Sequence, residues 1–361
     1  MLQPLSIPLG APVAGAAYVP AGPGTVRWGD LPVGTDTPVL EVDPGASVLV
    51  DTVSHEGILE DQGRDPVTFF AGHGFGAAEV LTDAVRVARD VEHDPARVGP
   101  HVVTGPVAVR GARPGDVVSV TVEALDLRTD YGIVSNRHGR GALPGEFPLD
   151  GVGPVSILAR VDGDPVELRG SLPARPGSDA RVRFPLNPFL GLVGVATPGP
   201  GRQHSVPPGA HGGNIDVSVL GIGSTLHLPV QVEGALVYTG DPHFAQGDGE
   251  VALTAFEAPL RARLRLDLVP AAAVRLRDRI WAETPELLVP IGLDPDLDEA
   301  MRQAVRTALD LLQDAGMERA HAYAYLSAAG NFAVSQVVDR TCGVHGLIRK
   351  ADLHELRGVG S

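Results

Sequence analysis

Cysteine occurs once in the 361 residues, at Cys342, and lysine once, at Lys350. The first scarcity excludes an intramolecular disulfide framework and any zinc site built on two or four cysteines. The second leaves Lys350 as the one ε-amine open to a catalytic mechanism. Positive charge is short as well. Lys and Arg total 29 against 44 Asp and Glu, a net charge of −15, which argues against nucleic acid or an anionic membrane as the main partner. No apolar run approaches the ~20 residues of a membrane span. The opening residues lack the basic stretch of a secretory signal. The expectation is a soluble, cytoplasmic protein.

Glycine (45) and proline (32) are abundant, which favours short strands and turns over long helices. Hydrophobic residues make up 43%, enough for a sizeable core. The chain has twelve histidines and many carboxylates, so a metal site here would be built from His, Asp and Glu.

Strand pairs read around proline–glycine turns at Val39–Val53 and at Pro106–Leu125. In the second, Val118, Val120 and Val122 alternate with polar residues, as a half-buried strand requires. Residues 226–268 read as strands again, and 163–179 as a loop, hairpin tip or boundary. Near the C-terminus Asp296 with Glu299 fits a helix N-cap. Met301, Ala304, Val305, Ala308, Leu311 and Leu312 then follow at helical spacing to a stop near Gly316. A second helix is expected over 318–329. The fold class is therefore mainly β (α+β) with a C-terminal helical segment. The chain reads as a single unit over 1–361, divisible into β-rich subdomains 1–162 and 180–361. A segment at 54–93 has a different character. There "VTFF" reads as a strand and "AEVLTDAVRVARDV" as a helix, joined by a Gly72–Ala77 loop of G-x-G-x-x-A form. Such a loop can cradle a pyrophosphate at a helix N-terminus. No alternating βαβ series follows, so a dinucleotide site is not expected.

Three polar constellations carry candidate chemistry. "PGAHGGNID" (208–216) places His211 before two glycines, with Asn214 and Asp216 two apart and so on one side of a strand. "GDPHFAQGDGE" (240–250) places Asp241 and His243 two apart. Carboxylate and imidazole so placed suit one zinc-like ion. Asp248-Gly249 reads as a hairpin turn, after which Glu250 opens a strand. Asp51, His55 and Glu56 close the strand "SVLVDTV", either lining a site or capping a turn.

These blocks resemble the acetamidase/formamidase family. "PGAHGGNID", "LHLPVQVEGALVYTGDPHFAQGDGEV" and "VSQVVD" match it, as do "PVLEVDPGASVLVDTVS", "TGPVAVRGARPGDVVSVTV" and "RFPLNPFLGLVGVA". They occur in family order across most of 37–340, and 54–93 departs from the family as an insertion. The resemblance implies a β-rich fold, a homodimer or larger homo-oligomer, and hydrolysis of short amides to acid and ammonia. It also implies a divalent metal, zinc before calcium, with calcium conceivable at a second site. It carries the site onto His211, Asp216, Asp241 and His243 as metal ligands, with Asp51 and His55 in reserve. Glu250 is the proton carrier for a water whose pKa the metal lowers. Asn214 or the Gly212 and Gly213 amides stabilise the oxyanion. Two alternatives stay open: a cyclic or larger amide as substrate, and a metal-stabilised binding protein without turnover.

Overall fold

The computed structural model describes residues 17–149, 153–164, 167–274 and 276–356. Two large sheets dominate, one of nine strands and one of eleven among the described residues. Almost all pairings are antiparallel; the exceptions pair Ala17–Val19 with Ala46–Asp51 and Leu40–Val42 with Val102–Val109. The first sheet is built around Val117–Leu127, which pairs with Leu260–Val269 on one side and Thr225–Pro229 on the other. The second is centred on Val237–Ala245, flanked by Phe189–Val195 and Val102–Val109. Each sheet takes strands from both halves of the chain. Val118, Val120 and Val122 face a common core with Leu264, Leu266, Val193 and Val237, so the alternation read in the sequence does bury one face.

Within 163–179, the described residues 163–164 and 167–173 belong to a three-stranded extension of the second sheet. Val155–Asp164 pairs with Glu167–Pro173, which pairs with Arg181–Pro185.

Segment 54–93 differs from its expected pattern. "VTFF" lies in a helix, α1 (Pro66–Ala71), because the Asp65 carboxylate accepts from the Val67 and Thr68 amides and Pro66 occupies the first turn. The second helix, α2 (Thr82–Asp90), falls within the stretch read as helical. Gly72–Ala77 thus joins two helical elements, and the strand that a phosphate-cradling loop requires is absent before it. Phe70 and Phe75 instead pack on Tyr131, so the loop serves a small aromatic core.

Near the C-terminus α3 (Leu297–Asp314) begins as read, with the Asp296 carboxylate accepting from the Asp298 and Glu299 amides. Gly316 follows with a left-handed φ of 100°. Helix α4 spans Arg319–Ala329. Helix α3 packs closely on the strand Leu287–Asp294. A Cβ at Gly292 would stand 1.9 Å from the Ala300 carbonyl oxygen, so only glycine permits this approach. No helix among the described residues is long and apolar enough to cross a membrane.

Candidate active site

The strand Val237–Ala245 delivers Asp241 to the wall of a cavity of about 620 Å³ and buries His243 behind it. The spacing of two does bring them together: His243 Nε2 lies 3.1 Å from Asp241 Oδ2. Both side chains are buried. Around them the fold assembles three overlapping groups with metal-ligand spacing. These are His55, His101 and Asp241; Asp241, His243 and Glu257; and Asp216, His243 and Glu250. In each, the ligand atoms lie within 4.8 Å of one another.

Asp241 links the first two groups. Its Oδ1 is 3.5 Å from His55 Nδ1 and 3.8 Å from His101 Nε2. Glu257 Oε1 stands 3.0 Å from His243 Nε2, and Asp216 Oδ1 is 3.9 Å from His243 Nδ1. Asp339 lines the same cavity, buried beside Glu250 and Asn214. The cavity wall thus presents four carboxyl groups (Asp241, Glu250, Glu257, Asp339) and two imidazoles (His55, His101), with Asp216 and His243 buried behind it.

Local backbone geometry explains how these side chains converge. Asp216, Asp241 and Glu250 all adopt left-handed conformations, with φ of 47°, 49° and 46°. Non-glycine residues pay of order 1 kcal/mol or more for this, and such residues cluster at functional sites. At Glu250 the conformation corrects the expected strand. Residues 250–255 form a turn at 251–252 and otherwise irregular chain, and the strand is only Phe256–Glu257. The Gly249 amide donates to the Ser335 carbonyl at 2.9 Å and the Glu250 amide to that of Gly247 at 3.2 Å. That pinning turns Glu250 inward. Close packing completes the floor. A Cβ on Gly191 would lie 2.4 Å from Asp216 Oδ1, 2.7 Å from His243 Cε1 and 2.8 Å from Asp241 Oδ2.

Burial and mutual charge set the protonation of the group. Burial pushes Asp216 and Glu250 well above the usual carboxylate range, reinforced by neighbouring carboxylates. Burial likewise raises Glu257, and Asp339 to about 7. Burial opposes ionisation of Asp241, yet His243 and His101 hold it well below its ordinary value. Burial alone would lower His55, but Asp241, Glu56 and Glu257 carry it up to about 10. His243 is raised against burial by Glu257 and Asp241, while burial lowers His101 to about 4. Glu56 is held at about 2: burial opposes this, and the Arg137 guanidinium and the His55 ring outweigh it.

The donor set fits a divalent cation. Both oxygens of Asp216, Oδ1 of Asp241, Oε2 of Glu257, Nδ1 of His55 and both ring nitrogens of His243 are buried without a hydrogen-bond partner. Buried polar atoms are normally paired, and imidazole with carboxylate is a donor set suited to zinc.

Other expected site residues lie elsewhere. His211 is buried with Nε2 unpartnered, but belongs to none of the three groups. Burial lowers it to about 4. Asn214 lines the cavity, its Oδ1 unpartnered. The Gly212 amide donates to the Gly209 carbonyl at 2.9 Å and is not free for an oxyanion. Asp51 faces away into a buried ion pair: Arg261 donates to it through Nε at 2.5 Å and Nη2 at 2.7 Å, and Tyr18 Oη at 2.7 Å. Its partner in reserve, His55, does join the site. Lys350 is bound to Glu283 and to the Thr284 carbonyl. Neither it nor Cys342 lines the cavity. His101, Glu257 and Asp339 were not singled out from the sequence. Glu257 lies in the strand Phe256–Glu257 and His101 just before the strand Val102–Val109, each a lone ionisable residue beside apolar sequence, and that is the signal that marks them. Asp339 ends the "VSQVVD" block that carries the resemblance.

Residues 199–347 match the profile of the acetamidase/formamidase family. This region is similar to acetamidase/formamidase-family sequence. An acetamidase of Mycolicibacterium smegmatis is 28% identical over 218 residues, 47% of this chain and 52% of that one. A formamidase of Methylophilus methylotrophus is 27% identical over 197 residues, 42% and 47% of the two chains. The chain thus spans about half the length of these curated relatives. Likeness to solved structures runs further. An acetamidase from Bacillus halodurans is 25% identical with a TM-score of 0.71, covering 95% of this chain and all of the other. A gamma lactamase from Delftia acidovorans, 22% identical with a TM-score of 0.53, covers 93% of each chain and shares the fold alone. The acetamidase/formamidase match contains Asp216, Asp241, His243, Glu250, Glu257 and Asp339; His55 and His101 precede it.

Proposed function

We propose that this chain is a metal-dependent amidohydrolase acting on non-peptide carbon–nitrogen bonds of small amides. The observation that carries the reading is the set of three interlocked His/Asp/Glu groups at the inner end of an open cavity. A bound divalent cation would supply Lewis-acid polarisation of a carbonyl and a lowered pKa for water. His55, His101, Asp241 and His243 are the residues to hold it, with Asp216 and Glu257 completing the donor set.

The remaining steps belong to the chain. Glu250 is buried, lines the cavity and is raised by burial well above the usual carboxylate range. It takes a proton from the attacking water and returns it to the leaving nitrogen. Asn214 faces the same space and orients the amide through its free Oδ1. The raised Asp339 beside them is a second store for a proton. A non-catalytic binding protein would need a closed, fully ligated ion, and the open cavity disfavours it.

The test is ammonia release from formamide and acetamide by metal-loaded protein, together with metal content, in the wild type and in Glu250→Gln. The expected result is a loss of roughly 10²–10⁴-fold in the variant, with metal retained. Full activity in Glu250→Gln removes Glu250 from the chemistry. Full activity in the wild type after complete metal removal refutes metal dependence.

A further inference from the structure

We propose that the substrate carries a carboxylate beyond its amide, and that Arg140 and Arg340 at the cavity mouth receive it. This rests on the amidohydrolase reading and names its substrate class.

Size is the first ground. At about 30 Å³ per water in the liquid, a cavity of 620 Å³ has room for about twenty heavy atoms or waters. Acetamide has four heavy atoms. It would leave most of the space wet, which weakens every electrostatic contact made in the site. A longer acyl chain displaces that water.

Charge is the second. Two carboxylates and several cations line the outer part of the cavity. Both carboxylates are already paired: Glu60 with Arg64 at 3.0 Å and His93 at 2.9 Å, Asp61 with His138 at 3.0 Å and with Arg137 at 3.1 Å, a guanidinium it shares with Glu56. Arg140 and Arg340 also line the cavity and are exposed. Neither has a carboxylate of the described residues within ion-pair distance. Both act on His204, a further lining residue, whose pKa is lowered by burial and by these two guanidiniums. All three line the same cavity. The unneutralised charge at the mouth is positive, in a chain whose net charge is −15.

The cavity is thus bipolar. Its inner end, rich in unpartnered carboxylates, takes a cation; its mouth takes an anion. A ligand that answers both has an amide at one end and a carboxylate at the other. The planar guanidinium fork matches a carboxylate through two parallel hydrogen bonds. A monoamide of a dicarboxylic acid is the simplest such molecule.

The test uses full-length, metal-loaded protein and four amides: acetamide, glutaramate (anionic), glutaramide (its neutral analogue, counted per amide group) and 5-aminopentanamide (cationic). Ammonia release gives kcat/KM, and calorimetry gives the affinity for glutaramate and glutaramide without reference to turnover. Glutaramate is expected to exceed glutaramide by about tenfold at low salt, the lower end of electrostatic steering, with the gap narrowing as salt is raised. In Arg140→Ala/Arg340→Ala glutaramate falls to the level of glutaramide. In Arg140→Glu/Arg340→Glu the order reverses toward 5-aminopentanamide. Ammonia release with equal kcat/KM for the three five-carbon amides overturns this inference and leaves the amidohydrolase reading standing. So does an anion preference that survives both double variants. No ammonia from any of the four amides overturns the amidohydrolase reading and this inference with it.

Discussion

Gly191 offers a clean perturbation of the site, because replacing it by alanine changes one atom and little else. It sits within the strand Phe189–Val195 and its φ is outside the left-handed region, so alanine meets no backbone strain there. The obstacle is space. The new Cβ would stand 2.4 Å from Asp216 Oδ1, and ordinary contact begins at 3.4 Å, so something must move by about 1 Å. His243 Cε1 and Asp241 Oδ2, at 2.7 and 2.8 Å, must give by somewhat less. The backbone cannot easily retreat, because the Gly191 carbonyl accepts from the Ile215 amide at 3.0 Å and the Asp216 amide at 3.2 Å. Overpacking of this kind costs about 1–3 kcal/mol. A displacement of about 1 Å in positioned groups costs about 10²-fold in rate. Gly191→Ala should therefore lose about two orders of magnitude in kcat/KM and bind metal more weakly, measured by ammonia release and by metal content after dialysis. Gly22→Ala is the control, since a Cβ there meets nothing within 4 Å. Wild-type activity and metal affinity in Gly191→Ala would refute the claim that Asp216, Asp241 and His243 form one unit around this strand.

Three further outcomes are expected. Asp51→Asn leaves the buried Arg261 charge without its partner and should cost about 3–5 kcal/mol in urea denaturation; lost kcat at unchanged stability would return Asp51 to the site. Exhaustive chelation should lower the thermal midpoint. An ion present at 100 times its Kd contributes about 2.7 kcal/mol, and a midpoint unmoved by chelation and by added zinc argues against the three groups holding a cation. Glu283, its carboxylate 3.5 Å from the His227 ring and bound by Lys350, is held at about 2 against burial. Its folded value lies below the unfolded one, so its contribution is present above about 4.5 and lost as pH falls toward 2. Glu283→Gln should lower stability by a constant amount above about pH 4.5 and flatten the profile between that pH and 2; an unchanged acid limb would show that the pair contributes nothing.

The strand pattern and the C-terminal helices were legible because their signals are local. Valine alternation at 118–122 and the Asp296 cap decide structure within a few residues. "VTFF" misled because the deciding residues, Asp65 and Pro66, precede it. The site divides along similar lines. Asp241 and His243 share a strand and sit together as their spacing requires. His55, from the segment that departs from the family, reaches Asp241, 186 positions further along the chain, only through the fold. His101 and Glu257 carry no local mark beyond being ionisable in apolar surroundings. Asp51 looked equivalent to His55 in the sequence. Its fate was settled by Arg261, a residue 210 positions away.

The left-handed conformations at Asp216, Asp241 and Glu250 set the stability of this fold against its use. Glycine at any of the three would release about 1 kcal/mol of backbone strain, and at Asp216 or Glu250 it would also remove a buried carboxyl from a crowd of like charges. Both changes favour the empty protein. A search for variants judged by melting temperature alone would therefore select against the site at these positions. Variants judged by turnover would keep the strain and seek compensation in the surrounding strands.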